Sequence, residues 1–127
     1  MKRIILSLIV LISLASCVTE DKRVTNITVE DLKSILKENK NIQLLDVRTS
    51  TEAKDGIIFD AMQVNLISND FETRAIEILD KTKPVYVYCR SGGRSKIASS
   101  VLVDNGFRVY NVKGGYKEWI KKTKVSE

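Results

Sequence analysis

The stretch "PVYVYCRSGGRSKIASSVLVDNG", Pro84 to Gly106, decides how the chain folds. Pro84 stands where a strand can begin without its N–H, and "VYVY" is an apolar run of strand length that ends on Cys89. Beyond the loop, Ile97, Ala98, Val101 and Leu102 recur at helical spacing and predict the buried stripe of a helix, with Gly106 after Asn105 as its C′ residue. Between strand and helix lies "CRSGGRS", Cys89 to Ser95. A loop of this kind aims several backbone N–H groups at one point, and the helix dipole adds positive potential there. Gly92 and Gly93 permit the positive φ values and close approach that such a cradle requires. A thiol at its centre ionises more readily than the ~8.5 of a free cysteine, with Arg90 and Arg94 assisting if they turn inward. The alternative is an inert, small core cysteine followed by an ordinary glycine turn.

The same alternation runs outward in both directions. Upstream, "RVTNI" reads as a short strand and "TVEDLKSILKEN" as a helix capped by Thr28, with Leu32, Ile35 and Leu36 on one face and Asn39 or Asn41 at its end. "IQLLDV", Ile42 to Val47, is apolar, of strand length, and ends on charge, which is the pattern of a buried parallel strand reaching a sheet edge. "RTSTEAKDG" predicts a turn with one helical turn in it, and "IIFDAMQVNL" a short strand or two. "NDFETRAIEILDK" spaces Phe71, Ala75, Ile76 and Leu79 for a second amphipathic helix that Asn69 or Asp70 can cap. Downstream come a strand, "FRVYNV", and a last helix, "GGYKEWIKK". Strands alternating with helices of about ten residues predict an α/β domain with a mostly parallel central sheet of about five strands, helices on both faces, and a ligand site outside the carboxyl ends of the strands. Cys89 lies there.

The chain has 127 residues, 43% apolar and 29% charged, enough for one domain with one core. Its first sixteen residues differ in kind: Lys2 and Arg3, an apolar run from Ile4 to Ala15, then small residues. This is the pattern of an export signal, since as a helix the run reaches about 18 Å against a hydrocarbon core of ~30 Å. "LASC", Leu14 to Cys17, resembles the lipobox of bacterial lipoproteins. That resemblance implies cleavage before Cys17, a lipidated Cys17 and a mature protein attached to a membrane of the bacterial cell envelope, on its periplasmic or extracellular face. Residues 17 to 23 then form a polar tether, and residues 24 to 127 the domain. The net charge of +5 falls to +3 once Lys2 and Arg3 are removed, and the basic residues are dispersed without interleaved aromatics, so no nucleic-acid surface is expected. With Cys17 acylated, Cys89 has no partner in the chain. The sequence contains no histidine, so activation of the thiol falls to backbone and arginine.

These residues resemble the rhodanese-like domain family, from about Val24 to Lys122. "YCRSGGRS" is similar to the family's active-site loop, "LLDVRTSTE" to its Asp46, Val47, Arg48 and Glu52 positions, and "VKGGYKEW" to its closing Gly114, Gly115 and Trp119. "GIIFDAMQVNL" departs from it: Ile57, Phe59 and Asp60 stand where the family has histidine, proline and a second glycine. The resemblance implies a sulfurtransferase in which Cys89 takes a sulfane sulfur from a donor such as thiosulfate or a persulfide and passes it to a thiol or cyanide, without cofactor or metal. Arg90, Ser91, Gly92, Gly93, Arg94 and Ser95 would supply the substrate-binding loop, with Arg90 and Arg94 meeting the donor anion or Arg94 bracing the loop. Asp46, Arg48 and Glu52 are expected to support it structurally, Arg48 paired with Glu52 and Asp46 tying the sheet edge to the loop. Trp119 and Tyr116 are expected to pack helix on sheet. Two rivals stand beside this reading. A cysteine phosphatase needs Cys-x5-Arg, but residue 95 is serine and the loop Cys89 to Arg94 has six residues. The other is a membrane-anchored rhodanese-like module that binds a partner or carries sulfur without catalysis.

Overall fold

The computed structural model describes residues 20 to 124, so the expected export signal and Cys17 lie outside the described residues. Five strands, β1 (Thr25–Ile27), β2 (Gln43–Asp46), β3 (Met62–Gln63), β4 (Val85–Tyr88) and β5 (Val109–Val112), form one sheet in the order β1-β5-β4-β2-β3 with every pairing parallel. Between them run α1 (Val29–Glu38), α2 (Ser50–Lys54), α3 (Phe71–Ile78) and α4 (Gly93–Asp104), and α5 (Gly115–Lys124) closes the order. The α/β architecture expected from the alternation is the one observed.

Two apolar layers enclose the sheet. Phe71 and Ala75 of α3 with Ala98 and Leu102 of α4 meet Leu45, Val85, Val87 and Val109 on one face. On the other, Val29, Leu32 and Leu36 of α1 meet Leu44, Tyr86, Tyr88 and Val112, with Trp119 of α5 at the margin. Burying a Leu or Val side chain stabilises by about 1.5–3 kcal/mol, so these layers are what holds the parallel strands in place. The N-cap expected at Thr28 is present and forms a full capping box: its hydroxyl accepts from the Asp31 N–H at 3.1 Å and the Asp31 carboxylate accepts from the Thr28 N–H at 2.9 Å. β2 and β4 are buried throughout, and their register sets Asp46 beside Tyr88, so both strands end at the same level. That alignment brings Arg48 and Cys89 to one edge.

Three local expectations need correction. In α4 the buried row is Ser95, Ala98, Ser99 and Leu102, whereas Ile97 is 52% exposed and Val101 half-buried. Small residues on the inner row let the helix sit close to the sheet, and that rotation turns Ile97 outward. In the 57–66 stretch only Met62 and Gln63 pair as strand; Ile58 is buried, and Phe59 adopts φ +46° and stays largely exposed. Asp70 begins α3 without capping it, its carboxylate accepting from the Ser68 hydroxyl instead. Residues 20 to 23 lie against α4: Arg23 bonds Asp21 and reaches Asp104 at 2.7 Å, while the Glu20 carboxylate sits 3.5 Å from Lys96 Nζ and 4.0 Å from Lys113 Nζ.

Candidate active site

Cys89 follows directly on β4 and is 1% exposed. The Gly92 N–H donates to its Sγ at 3.0 Å, and the Ser95 hydroxyl, which donates to the Gly92 carbonyl at 3.1 Å, lies 3.5 Å from the sulfur. Gly92 has φ +121°, a conformation L side chains rarely adopt, and this folds its N–H back toward the sulfur. Gly93 differs from expectation, since it is already helical and a side chain there would meet nothing within 4 Å. The geometry therefore requires only one of the two glycines. The N-cap of α4 is Gly92, which offers no side-chain cap and so leaves the first N–H groups of the helix to the loop.

The thiol is acted on in opposite directions. Burial pushes its pKa up and is the largest single influence, but the Ser95 hydroxyl and the N–H groups of Ser95, Gly92 and Ser91 together bring it below the ordinary cysteine value. Backbone and hydroxyl lead, and of the two loop arginines Arg94 shares a charge interaction with the thiolate, a lesser influence than the sequence assigned to guanidinium.

The loop is held from outside by two devices. The N–H groups of Tyr116 and Lys117, in the first turn of α5, donate to the Cys89 and Arg90 carbonyls at 2.9 and 3.0 Å. The close approach depends on Gly115, which has φ +55° and on which a Cβ would stand 2.4 Å from the Cys89 carbonyl oxygen and 2.7 Å from that of Arg90. Gly115→Ala is expected to lose about 1–3 kcal/mol through this overpacking and to slow alkylation of Cys89 by displacing the loop. Thermal unfolding and the rate of iodoacetamide labelling report the two effects; unchanged labelling would show that the clamp does not set the loop geometry.

The second device is an ion pair. Arg94 bonds Glu52 in bidentate fashion, both contacts 2.7 Å, so of the two roles open to it Arg94 takes the bracing one. Glu52 also accepts from the Thr49 N–H and hydroxyl at the start of α2, which turns its carboxylate toward Arg94. The expected Arg48–Glu52 pair is thus corrected. Arg48 bonds Asp46 through Nε and Nη2 at 3.0 and 2.7 Å, donates to the Gly56 carbonyl at 2.7 Å, and touches Glu52 only through its backbone oxygen. Asp46 accordingly ties down Arg48, and the link from sheet edge to loop is Glu52–Arg94. The Tyr116 ring covers Arg48 at 4.1 Å, while Trp119 packs edge-on against Phe59. The buried Tyr88 hydroxyl, which sequence reasoning missed, accepts from the Ile58 N–H at 3.0 Å and secures the divergent 57–60 loop.

Arg94 beside the Glu52 carboxyl, countered in part by burial and aided by Thr49, holds the Glu52 pKa at about 2, below its usual 4.5. The unfolded chain binds this proton more tightly, so the pair's contribution is complete above pH ~4.5 and is lost as the pH falls through about 2. Between pH 5 and 2 the wild type is expected to lose more thermal stability than Glu52→Gln, which has no proton to gain; parallel losses would remove the ion pair as the cause.

Arg90 and Ser91 are exposed. Arg90 has no carboxylate partner among the described residues, and with Arg48, Glu52, Tyr116 and Lys117 it lines a cleft of about 310 Å³ beside the loop. Cys89, Gly92, Arg94, Ser95 and Glu52 are therefore brought together, with Arg90 at the rim and Asp46–Arg48 beneath.

The comparisons with known proteins point to one family. The Rhodanese-like domain family matches residues 28–122. A sulfurtransferase of Allochromatium vinosum is 36% identical over 99 residues, spanning 77% of this chain and 90% of its own length. The uncharacterised protein YqhL of Bacillus subtilis is 33% identical over 125 residues, 98% of this chain and 94% of its own. Among solved structures, a rhodanese-like domain protein from Staphylococcus aureus superposes with a TM-score of 0.68 at 33% identity, covering 75% of this chain and 90% of that one. With a family match over residues 28–122, relatives named as sulfurtransferases and a solved rhodanese-like domain of similar fold, this chain belongs to the rhodanese-like domain family.

Proposed function

We propose that the protein is a lipid-anchored sulfurtransferase that works through a persulfide on Cys89. The observation that carries this reading is the Gly92 N–H on Sγ at 3.0 Å, with the Ser95 hydroxyl 3.5 Å from the sulfur, in a loop that lowers the thiol pKa without a base. The Cys89 thiolate attacks the outer sulfur of thiosulfate; the S–S bond breaks and sulfite leaves with its electron pair. A thiolate or cyanide then attacks the outer sulfur of the persulfide and Cys89 leaves as thiolate, so no external oxidant or reductant is consumed. The charge that forms on the outer sulfur can be met by the uncapped N–H groups of α4, fixed in advance by the fold. Arg90 meets the donor anion at the cleft rim, since Arg48 and Arg94 are already neutralised by Asp46 and Glu52. Because Cys89 is so buried, the loop favours donors that present a small, terminal sulfur. The "LASC" junction supports the reading that the chain is cleaved before Cys17, lipidated there and attached to a cell-envelope membrane. Mass spectrometry of the mature protein after thiosulfate treatment tests the chemistry. The expected result is a gain of one sulfur atom on the Cys89 peptide, released by cyanide; absence of the adduct would leave a binding module.

A further inference from the structure

The point at which the tether leaves the domain adjoins the active loop. The Glu20 carboxylate lies between Lys96 and Lys113, and all three line a cavity of about 380 Å³ whose remaining wall includes Ser91, Gly92 and Gly93. The next residues are held in place by the Arg23–Asp21 and Arg23–Asp104 contacts and by the Val24 N–H on the Asp21 carbonyl at 3.0 Å. Beside Glu20 on the surface of α4 is Ile97, 52% exposed, which shares a second cavity with Glu20 and Val24. Lys22, Arg23, Lys96 and Lys113 exceed Glu20, Asp21 and Asp104 by one positive charge, so this face does not repel an anionic surface.

Glu20 is three residue steps from Cys17, a span of at most about 11 Å at ~3.6 Å per residue. A domain of this size is roughly 33 Å across. A second surface has the chemistry of a membrane contact, an apolar groove formed by Phe59 and Trp119 and edged by Lys33, Lys37 and Lys40. It belongs to the α1 and α5 layer, across the sheet from α4, and a tether of that length cannot carry it to the bilayer while Glu20 stays docked. On the reading of Cys17 as the lipid attachment site, we infer that the α4 face around Lys96, Ile97 and Lys113 rests on the bilayer, and that the Ser91–Gly93 side of the active loop meets its sulfur partners at the membrane surface.

The test uses the full mature protein in phosphatidylethanolamine–phosphatidylglycerol vesicles doped with a phospholipid that carries a photoactivatable diazirine at headgroup depth. After illumination, label is expected to concentrate several-fold on the peptides containing Lys96–Ile97 and Lys113 over those containing Lys37, Lys40, Phe59 and Trp119. The reverse distribution, or label confined to residues before Glu20, overturns the assignment. The mass of the N-terminal peptide reads the anchor separately: a Cys17 without lipid refutes the anchor and the orientation together. The thiosulfate adduct on Cys89, measured on the same sample, reports the sulfurtransferase reading independently of both.

Discussion

Cys89→Ser is expected to lose sulfur uptake and sulfur transfer altogether, at least the thousand-fold that removing a nucleophile costs, while the domain stays folded. An un-ionised hydroxyl does not attack the outer sulfur of a donor, and its oxygen cannot carry a sulfane sulfur. The substitution nonetheless fits the site. Serine is close to cysteine in size, and the two groups nearest Sγ, the Gly92 N–H and the Ser95 hydroxyl, can both hydrogen-bond an oxygen. Stability should therefore change little, and thermal unfolding run beside the thiosulfate assay separates loss of chemistry from loss of fold. The sequence holds only two cysteines. If Cys89→Ser still took up sulfur, Cys17 would be free and reactive, and both the loop assignment and the lipid reading would fail together.

How far the sequence could be read depended on whether a residue's neighbours are set by the chain or by the fold. The Thr28 N-cap and the turn at Gly106 are local: their partners lie within four residues, and each appears in the structure as expected. Arg48 and Glu52 are four apart as well, which made them a natural pair on paper. The Thr49–Glu52 capping box, legible as "TSTE", turns that carboxylate away from Arg48 and toward Arg94, 42 residues on. Asp46 then becomes the partner of Arg48, because both side chains leave the end of β2 into the same buried space. Ile97 failed for a different reason. Hydropathy put it on the inner stripe, but the close seat of α4 on the sheet selects Ser95, Ala98 and Ser99, and pattern alone does not carry that distance. Gly115 was visible as a glycine, yet the carbonyls it must clear come from a loop 25 residues upstream.

Asp46→Ala should be the most damaging substitution for stability. The Arg48 side chain is 3% exposed and the Asp46 side chain 0%, and the carboxylate accepts from the Arg48 N–H at 2.9 Å as well as from its guanidinium. Burial opposes the Arg48 charge most strongly, but the Asp46 carboxylate more than offsets it and keeps the guanidinium pKa above its usual value. Removing Asp46 leaves that charge in place with the Gly56 carbonyl and the Tyr116 ring as its nearest compensation. Losing one partner of a buried pair costs about 3–5 kcal/mol, against a total of about 5–15 kcal/mol for a typical domain. The double substitution Asp46→Leu with Arg48→Met removes both charges and retains apolar volume, and it should be much less damaging than Asp46→Ala alone. Denaturant unfolding of the wild type, Asp46→Ala, Arg48→Met and the double variant measures this directly. Losses that simply add would mean the two charges are solvated independently. A recovery in the double variant accompanied by slower sulfur uptake would separate the two tasks of the pair: balancing its own buried charge, and fixing the Gly56 turn and the Tyr116 ring from which α5 clamps the active loop.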